Sequence, residues 1–344
     1  MGLVILGDIM LGRYQAPLIE KYGITKILSG LKKTIGKRKI IANLECPLIN
    51  LKNINEYNNS LSKLFGNEIF AKQLSDNGFE ALSLANNHIF DLGIDGLINT
   101  QSVLKKNSIK YFGAGLNKSE AINPVIIKLD NYYVGFLGFS FSYPAEQNKP
   151  GVAFLYDNTV ELAIKKIKKK VDFLIVMPHS GIELYQYPLK RDQRIYKKMV
   201  DLGADIVVGS QSHCIQAMEK YLNKHIYYST GDLLFDHFHE YTKSDFVSDI
   251  SHSKKFSIKP DFALTQFSLL IQIDIINDEF VVHHHTVFNK DGYNPIILNS
   301  VKKKLWQKKY SSVNYNLKNS IKIDKERNTI EQKLMQDLNS RGVL

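Results

Sequence analysis

Five polar segments along the chain contain side chains that could do chemistry, and each begins where an apolar run stops. They supply carboxylate, amide and imidazole groups, which are the ligand types that hold divalent metal ions over a phosphate. The pattern therefore predicts a metallophosphatase-like site. The segments are Gly7-Asp8, Asn43-Leu44-Glu45, Asn86-Asn87-His88, His179-Ser180-Gly181 and residues 209–213.

Taken singly, each of these residues also has a structural explanation. Asp8 could cap a helix, Glu45 could form a surface salt bridge, and Asn86-Asn87 could be a turn. His179 or His213 alone at a strand end would more often be structural. That the polar residues at all five strand ends are purely structural is much less favoured. Asp91 is a further indication of a functional site. It lies three residues after His88, close enough to orient the imidazole ring for acid–base chemistry.

The elements that must position these groups alternate between strands and helices over residues 1–235. This alternation predicts an α/β fold with its site at the carboxyl ends of the strands. A later hairpin, 267–275 with 280–288, is predicted to join the sheets, and residues 237–262 are predicted to form a surface loop. The predicted strands are 4–9, 39–44, 81–84, 125–129, 133–139, 173–177, 206–208 and 226–228. The predicted helices lie within 17–31, 68–77, 91–107 and 195–203.

Composition is that of a globular protein, with 344 residues, 44% hydrophobic and 23% charged. No apolar run approaches the roughly 20 residues that cross a bilayer, and no basic leader precedes the first strand. We therefore expect a cytoplasmic protein, or an envelope-associated one if an anchor is missing from this sequence. We expect one domain over 1–300 and a basic, partly helical extension over 301–344.

The net charge of +11 is concentrated at the end of the chain, where residues 301–344 carry +7. This distribution argues against nucleic acid as a partner. The basic segment could contact an anionic polymer or be a solvated helix. With only Cys46 and Cys214 present, we expect two reduced structural thiols. Residues 283–285 are three histidines, which we interpret as part of an exposed strand face rather than a metal site.

In their order and spacing, these segments resemble the bacterial capsule synthesis protein CapA family over about residues 3–236. This resemblance implies the calcineurin-like metallophosphoesterase fold, an α/β/β/α sandwich, and a part in poly-γ-glutamate capsule synthesis. The matching stretches are Gly7-Asp8-Ile9-Met10-Leu11-Gly12-Arg13, Asn43-Leu44-Glu45-Cys46-Pro47-Leu48, Ala85-Asn86-Asn87-His88, Asp91-Leu92-Gly93, His179-Ser180-Gly181-Ile182-Glu183, Tyr187-Pro188, residues 203–209, His213-Cys214-Ile215-Gln216 and Tyr228-Ser229-Thr230-Gly231-Asp232.

The resemblance also implies a role for each matching residue. Glu45 is the carboxylate placed to bridge two metals, and His88 is the acid that protonates a leaving oxygen, steadied by Asp91. One or two divalent ions are implied, Mn²⁺ or Zn²⁺. The implied metal ligands are Asp8, Glu45, Asn87, His179 and His213.

Several positions depart from the family pattern. Met10 stands where phosphoesterases commonly have the histidine of Asp-x-His, and Ser210 and Gln211 replace two histidines of the last loop. Asp232 replaces an asparagine, and Ser180 replaces a tryptophan. The nitrogen ligand set is therefore thinner than in a standard phosphatase.

Two functions follow as alternatives. The first is metal-dependent hydrolysis or transfer on a phosphoester or a related anionic substrate, small molecule or polymer, in capsule or cell-envelope synthesis. The second is a non-catalytic accessory protein that binds an anionic polymer or scaffolds a polymer synthase. Both place the protein with the capsule or envelope synthesis machinery.

Overall fold

The computed structural model describes residues 2–51, 63–236, 262–299, 304, 311–314 and 316–340. The predicted loop at 237–262 lies outside these residues except for its last position, and so does most of 301–310. Strands and helices are numbered below in chain order.

The first sheet has seven strands in the order β19-β18-β17-β1-β3-β6-β7. Four neighbouring strands of this sheet are parallel, namely β1, β3, β6 and β7. Strand β17 extends the sheet by pairing antiparallel with β1. This pairing confirms that the late hairpin joins the sheet. The strands are β1 Gly2–Ile5, β3 Lys39–Asn43, β6 Phe79–Ser83, β7 Lys110–Phe112, β17 Phe267–Ile276, β18 Glu279–Phe288 and β19 Ile296–Ile297.

The second sheet has six strands in the order β14-β15-β13-β12-β10-β9. Its four central strands β15, β13, β12 and β10 are parallel, so their carboxyl ends lie at one edge. The strands are β9 Val125–Leu129, β10 Tyr132–Ser140, β12 Phe173–His179, β13 Ile206–Val208, β14 Met218–Tyr221 and β15 Lys224–Tyr227.

Three short strand pairs lie outside the two main sheets. The pair nearest the candidate site joins β2 Asp8–Ile9 in parallel to β16 Asp232–Leu234. The other two pairs are β4 Leu48–Ile49 with β5 Gly66–Asn67, and β8 Ala114–Gly115 with β11 Gly151–Val152.

Helices cover both outer faces of the sheet pair. One apolar cluster fills the space between the sheets, and two others lie beneath the helices on either side. The predicted α/β/β/α sandwich, with its calcineurin-like layer order, is confirmed. The helices are α1 Gln15–Ile27, α2 Lys32–Ile35, α3 Phe70–Asp76, α4 Gly93–Lys106, α5 Lys118–Ala121, α6 Thr159–Lys168, α7 Lys190–Asp201 and α8 Ile321–Ser340.

The late hairpin turns at Asn277 and Asp278, both of which have positive φ angles of 50° and 63°. Two consecutive residues of this kind form the tight turn whose twist matches that of antiparallel strands. Asn and Asp tolerate the left-handed region better than most residues, which is why the sequence signal for this turn was readable.

The three consecutive histidines lie on β18. His284 faces Tyr227 edge-on between the sheets, and Nε2 of His285 lies 3.3 Å from Oε1 of Gln272 on β17. Among the described residues, no group of potential metal ligands includes any of the three. The interpretation against a metal site stays a prediction; of the three histidines, His283 is exposed and the other two are partly buried.

Both cysteines are free and buried. Cys46 lies in the apolar cluster beneath the first sheet and Cys214 in the cluster between the sheets. Burial raises the pKa of the Cys46 thiol to about 12, as expected for an unreactive structural thiol. Within the described residues, no helix is both long enough and apolar enough to cross a membrane.

Candidate metal centre

The first sheet brings Asp8 and Glu45 to the same point. Asp8 begins β2, whose backbone is held by a hydrogen bond from Asp8 N to Gly231 O at 3.0 Å. Glu45 follows β3, and its backbone N–H donates to Ile9 O at 2.8 Å. Both carboxylates are almost fully buried, at 1% and 0% exposure. Two acidic side chains are thus fixed by backbone pairing at the carboxyl ends of parallel strands.

Asn43, the last residue of β3, organises the groups around it. Its Nδ2 donates to Asp8 Oδ1 at 3.0 Å and to Glu45 Oε2 at 3.5 Å, and lies 3.4 Å from His179 Nδ1. Asn86 Nδ2 donates in turn to Asn43 Oδ1 at 3.1 Å. This last bond fixes the orientation of the Asn43 amide, because only its oxygen can accept.

The second sheet contributes His179, which ends β12 and is 1% exposed. Its Nδ1 lies 2.8 Å from Ser210 Oγ, and its Nε2 lies 2.8 Å from Asn87 Oδ1 and 3.5 Å from Glu45 Oε1. The edge of His179 that carries Nε2 therefore faces two oxygen acceptors.

His213 approaches Glu45 from the loop after β13. Its Nδ1 lies 2.9 Å from Asp232 Oδ1, and its Nε2 lies 3.9 Å from Glu45 Oε1. Gln211 in the same loop donates its backbone N–H to Asp8 Oδ2 at 3.4 Å. Gln211 and His213 both have positive φ angles, 94° and 52°. Strained non-glycine backbone of this kind is common where a loop must aim side chains into a functional site.

Two groups of three potential ligands result, with ligand atoms within 4.8 Å of one another in each group. Asp8 belongs to both, so the two groups share one carboxylate. The groups are Asp8 with Glu45 and His179, and Asp8 with His213 and Asp232.

Burial dominates the electrostatics of this cluster. It raises the pKa of Glu45 well above its usual value and, together with the Asp232 carboxylate, raises the pKa of Asp8 to about 7. Burial lowers the pKa of His179 well below normal. Burial alone would also lower the pKa of His213, but the neighbouring Asp232 and Glu45 carboxylates outweigh it and raise that pKa to about 10.

The donor set fits a divalent cation. Glu45 Oε1 and Asp232 Oδ2 are buried carboxylate oxygens that receive no hydrogen bond from any described residue. A buried acceptor without a partner costs about 1–3 kcal/mol, and more when it is charged. A cation between carboxylate, amide and imidazole ligands would remove that cost, and these are the ligands that Zn²⁺ and Mn²⁺ use.

His88 and Asp91 form a pair at the edge of this cluster. His88 Nδ1 lies 2.8 Å from Asp91 Oδ2, which also accepts the backbone N–H of Leu64 at 2.6 Å. The His88 side chain is 22% exposed. The carboxylate thus holds the His88 ring through Nδ1, which leaves Nε2 as the other ring nitrogen for hydrogen bonding.

The geometry brings together five of the seven residues that the sequence singled out, namely Asp8, Glu45, Asn87, His179 and His213, and His88 and Asp91 form a separate pair that directly follows Asn87 in the chain. Sequence reasoning did not assign Asn43 or Asp232 to the site. Both lie within the quoted motifs. Asn43 directly follows the apolar residues 40–42, and this position was the available signal, whereas Asp232 lies four residues beyond the apolar run that ends at Tyr228. Met10 is fully buried in the apolar cluster beneath the first sheet, and its Sδ accepts the Gly12 N–H at 3.0 Å. It supplies no nitrogen ligand.

The two stacked sheets with helices on both outer faces have the calcineurin-like metallophosphoesterase fold. Within that class, the model of the family "Bacterial capsule synthesis protein PGA_cap" matches residues 2–237. The chain belongs to this family.

Curated relatives agree with the family assignment. The "PGA biosynthesis protein CapA" of Bacillus subtilis (strain 168) is 31% identical over 237 residues, covering 67% of this chain and 62% of the relative. The "Capsule biosynthesis protein CapA" of Bacillus anthracis is 30% identical over 245 residues, covering 68% and 59%. The chain therefore spans about three fifths of the length of these relatives. A solved phosphatase from Mycoplasma pneumoniae aligns over 85% of this chain and 95% of its own, with 11% identity and a TM-score of 0.48.

Proposed function

We propose that this protein is a metal-dependent hydrolase or transferase that acts on a phosphoester or a related anionic substrate in the synthesis of a capsule polymer. The observation that carries the proposal is the position of Glu45 Oε1. This buried oxygen has no hydrogen bond within the described residues and lies 3.5 Å from His179 Nε2 and 3.9 Å from His213 Nε2. Such a convergence is costly for a structural cluster and is what a cation site requires.

One or two divalent ions would be held by six residues. When bound, such an ion supplies Lewis-acid chemistry to a phosphoryl group and favours a hydroxide nucleophile near neutral pH. The surrounding residues fix the ligands in place. Asn43 orients two of the carboxylates, and Ser210 lies within hydrogen-bond distance of His179 Nδ1. The holding residues would be Asp8, Glu45, Asn87, His179, His213 and Asp232.

His88 is the proposed general acid. Its Nδ1 is engaged by Asp91, so that the proton on Nε2 faces the accessible side, where it can be given to a leaving oxygen. Proton transfer of this kind contributes typically 10²–10⁴-fold to a rate. Asp91 does not touch the substrate in this proposal; it holds the ring and its tautomer.

The capsule context comes from the family, whose matched relatives are named for poly-γ-glutamate or capsule biosynthesis. We propose that the substrate is an anionic small molecule or polymer and that the protein works with the polymer synthesis machinery.

The experiment compares three variants on metal content and on turnover of bis(4-nitrophenyl) phosphate with Mn²⁺, Zn²⁺ or Mg²⁺. We expect Asp8→Ala to lose metal and activity together, and His88→Ala to keep metal while losing at least 100-fold in kcat. His283→Ala, an exposed histidine on β18, is the matched control and should behave as wild type. Wild-type protein that binds no metal and turns over no ester with any cation would contradict the proposal.

The second candidate is a non-catalytic accessory protein that binds an anionic polymer. It is favoured by Met10, Ser210 and Gln211, which leave two imidazoles in the described centre. In that case, binding of poly-γ-glutamate in a filter or calorimetric assay would survive Asp8→Ala and His88→Ala unchanged. If the centre binds the polymer for catalysis, Asp8→Ala should weaken that binding.

A further inference from the structure

A small cavity lies directly beside the candidate metal centre. Its volume is about 20 Å³, room for about one water-sized group. Gln211 connects the cavity to the centre, because its backbone N–H donates to Asp8 Oδ2 at 3.4 Å while its Nε2 donates to Glu183 Oε1, also at 3.4 Å, in the cavity lining. The residues that line the cavity include Phe141, Tyr156, Ile182, Glu183, Gln211 and Leu334.

Leu334 belongs to α8, more than 100 residues beyond the other lining side chains and outside the region that the family model matches. Its neighbours in the cavity wall include the aromatic rings of Phe141 and Tyr156 and the apolar side chain of Ile182. The part of the cavity lining that Leu334 supplies therefore comes from a segment outside the region that the family model matches.

Polar contacts hold α8 firmly against the start of α7. Lys190 Nζ lies 2.8 Å from Asp324 Oδ2, and the Arg191 backbone N–H donates to Glu331 Oε2 at 3.0 Å. Arg327 Nε donates to Pro188 O at 2.7 Å, with the Arg327 side chain 2% exposed. Three anchors spaced along two turns of helix fix both the position and the rotation of α8.

The apolar face of α8 completes this docking. Ile330 and Leu334 are one helical turn apart and buried, at 2% and 8% exposure, against Ile182, Tyr185 and Leu189. Ile330 contributes to this apolar cluster without lining the cavity, whereas Leu334 does both. A substitution at Ile330 therefore tests the packing of α8 alone, whereas a substitution at Leu334 also changes the shape of the cavity.

We propose that Leu334 is a specificity-determining residue that closes the substrate cleft beside the metal centre and limits the size of the group attached to the reacting phosphoester on that side. This inference rests on the proposed function. Because the cavity admits only about one water-sized group, small alkyl substituents fit there and aryl substituents do not. The lining is mixed, since Ser180, Glu183, Arg191 and Gln211 are polar. Leu334 lies with Ile182 in an apolar cluster and shares the lining with two aromatic rings, so a substituent that occupies the space of a shorter side chain at 334 meets apolar groups there.

The experiment measures kcat/KM for methyl 4-nitrophenyl phosphate and phenyl 4-nitrophenyl phosphate in Mn²⁺-loaded wild type, Leu334→Ala and Ile330→Ala. We expect Leu334→Ala to raise the phenyl-to-methyl ratio about tenfold, since a size difference of this order in an apolar pocket is worth 10–200-fold. Ile330→Ala should leave the ratio unchanged even if it lowers stability. Leu334→Met conserves volume and should also leave it unchanged. Leu334→Val is the milder enlargement if Leu334→Ala does not fold.

The outcomes separate this inference from the proposed function. Turnover with equal ratios in wild type, Leu334→Ala and Leu334→Val overturns the role of Leu334 and leaves the hydrolase proposal standing. If no protein turns over either ester, the hydrolase proposal fails, and binding of methylphosphonate and phenylphosphonate is measured by calorimetry. A selective gain of phenylphosphonate binding in Leu334→Ala then supports the proposed role of Leu334 in limiting substituent size. No gain overturns that role.

Discussion

The Asp232 carboxylate lies 2.9 Å from Nδ1 of His213, and both side chains are almost completely buried. Asp232 Oδ1 makes this contact, while Oδ2 receives no hydrogen bond from the described residues. One carboxylate thus orients the imidazole so that Nε2 faces Glu45 and also offers a free oxygen to the same cluster as Asp8. In the proposed metal centre, Asp232 would supply an oxygen ligand where Ser210 and Gln211 supply no imidazole.

The first prediction concerns this contact. Asp232→Asn removes a negative charge next to His213 and should weaken Mn²⁺ binding by about 10- to 100-fold, the usual effect of losing a carboxylate behind a ligand histidine. Isothermal titration calorimetry with Mn²⁺ measures it. Asp205→Asn is the matched control, since Asp205 is a buried acid at the opposite end of β13, paired with Lys168 and Lys224. Equal affinity in Asp232→Asn and wild type would assign Asp232 a purely structural role.

The second prediction is that the metal-free protein loses stability as pH rises from about 6.5 to 10. Below pH 6.5 the lowered pKa values of His179 and His225 act in the opposite direction to the raised pKa of Asp8. Asp8 has a folded-state pKa of about 7, above the unfolded value of 3.8, so the folded state holds an extra proton between those values. His213, with a pKa of about 10 against 6.5, does the same at higher pH. Where the folded state binds more protons, stability falls with pH, by about 1.4 kcal/mol per pH unit for one proton.

Urea denaturation at several pH values, with EDTA or with saturating Mn²⁺, measures this dependence. A cation favours the deprotonated ligands, so Mn²⁺ should stabilise the protein increasingly as pH rises from 5 to 8. A metal-free stability that increases between pH 6.5 and 10 would show that Asp8 and His213 titrate in the opposite direction.

The third prediction separates orientation from metal binding. Asp91→Asn keeps the size of the side chain but removes the charge that holds the His88 ring, and kcat should fall about 10- to 100-fold with bound metal unchanged. The measurement pairs steady-state kinetics with metal analysis by inductively coupled plasma mass spectrometry. Glu80→Gln, on an ion-paired acid of β6 away from the cluster, is the control. Loss of metal in Asp91→Asn would place Asp91 among the metal-holding residues instead.

The fourth prediction concerns the attachment of α8. Arg327→Ala removes the buried guanidinium that donates to Pro188 O, and amide hydrogen exchange in α8 should accelerate while the sheets remain protected. Lys322→Ala, an exposed change on the same helix, should leave exchange as in wild type. Uniform acceleration across both sheets in Arg327→Ala would mean that α8 unfolds together with the whole domain.

Much of the fold could be predicted from the sequence because strand-length apolar runs and helical patterns alternate regularly, and parallel strands bring their carboxyl ends to one edge. This rule alone places Asp8, Glu45, Asn87 and His179 close together. The two hairpins could be predicted because Asp and Asn are typical of tight turns. In the structure, Asp130 and Asn277 lie at turn positions with positive φ angles.

The remaining features depend on contacts between distant segments, which local patterns do not encode. Asn43 could be recognised as an organising residue only once Asp8, His179 and Asn86 surrounded it. The docking of α8 depends on Glu331 meeting the Arg191 backbone, 140 residues away. The division of the chain at residue 300 stays a prediction, although α8 lies against α7 and Leu334 lines the cavity beside the metal centre.

The central claim is that Asp8, Glu45, Asn87, His179 and His213, with Asp232, hold a divalent metal ion. The most direct measurement is anomalous diffraction from crystals grown or soaked with Mn²⁺. The account predicts at least one strong anomalous peak within coordination distance of Asp8 and either Glu45 and His179 or His213 and Asp232, absent from crystals of Asp8→Ala. Well-diffracting crystals at saturating Mn²⁺ that show no peak between these side chains would contradict it.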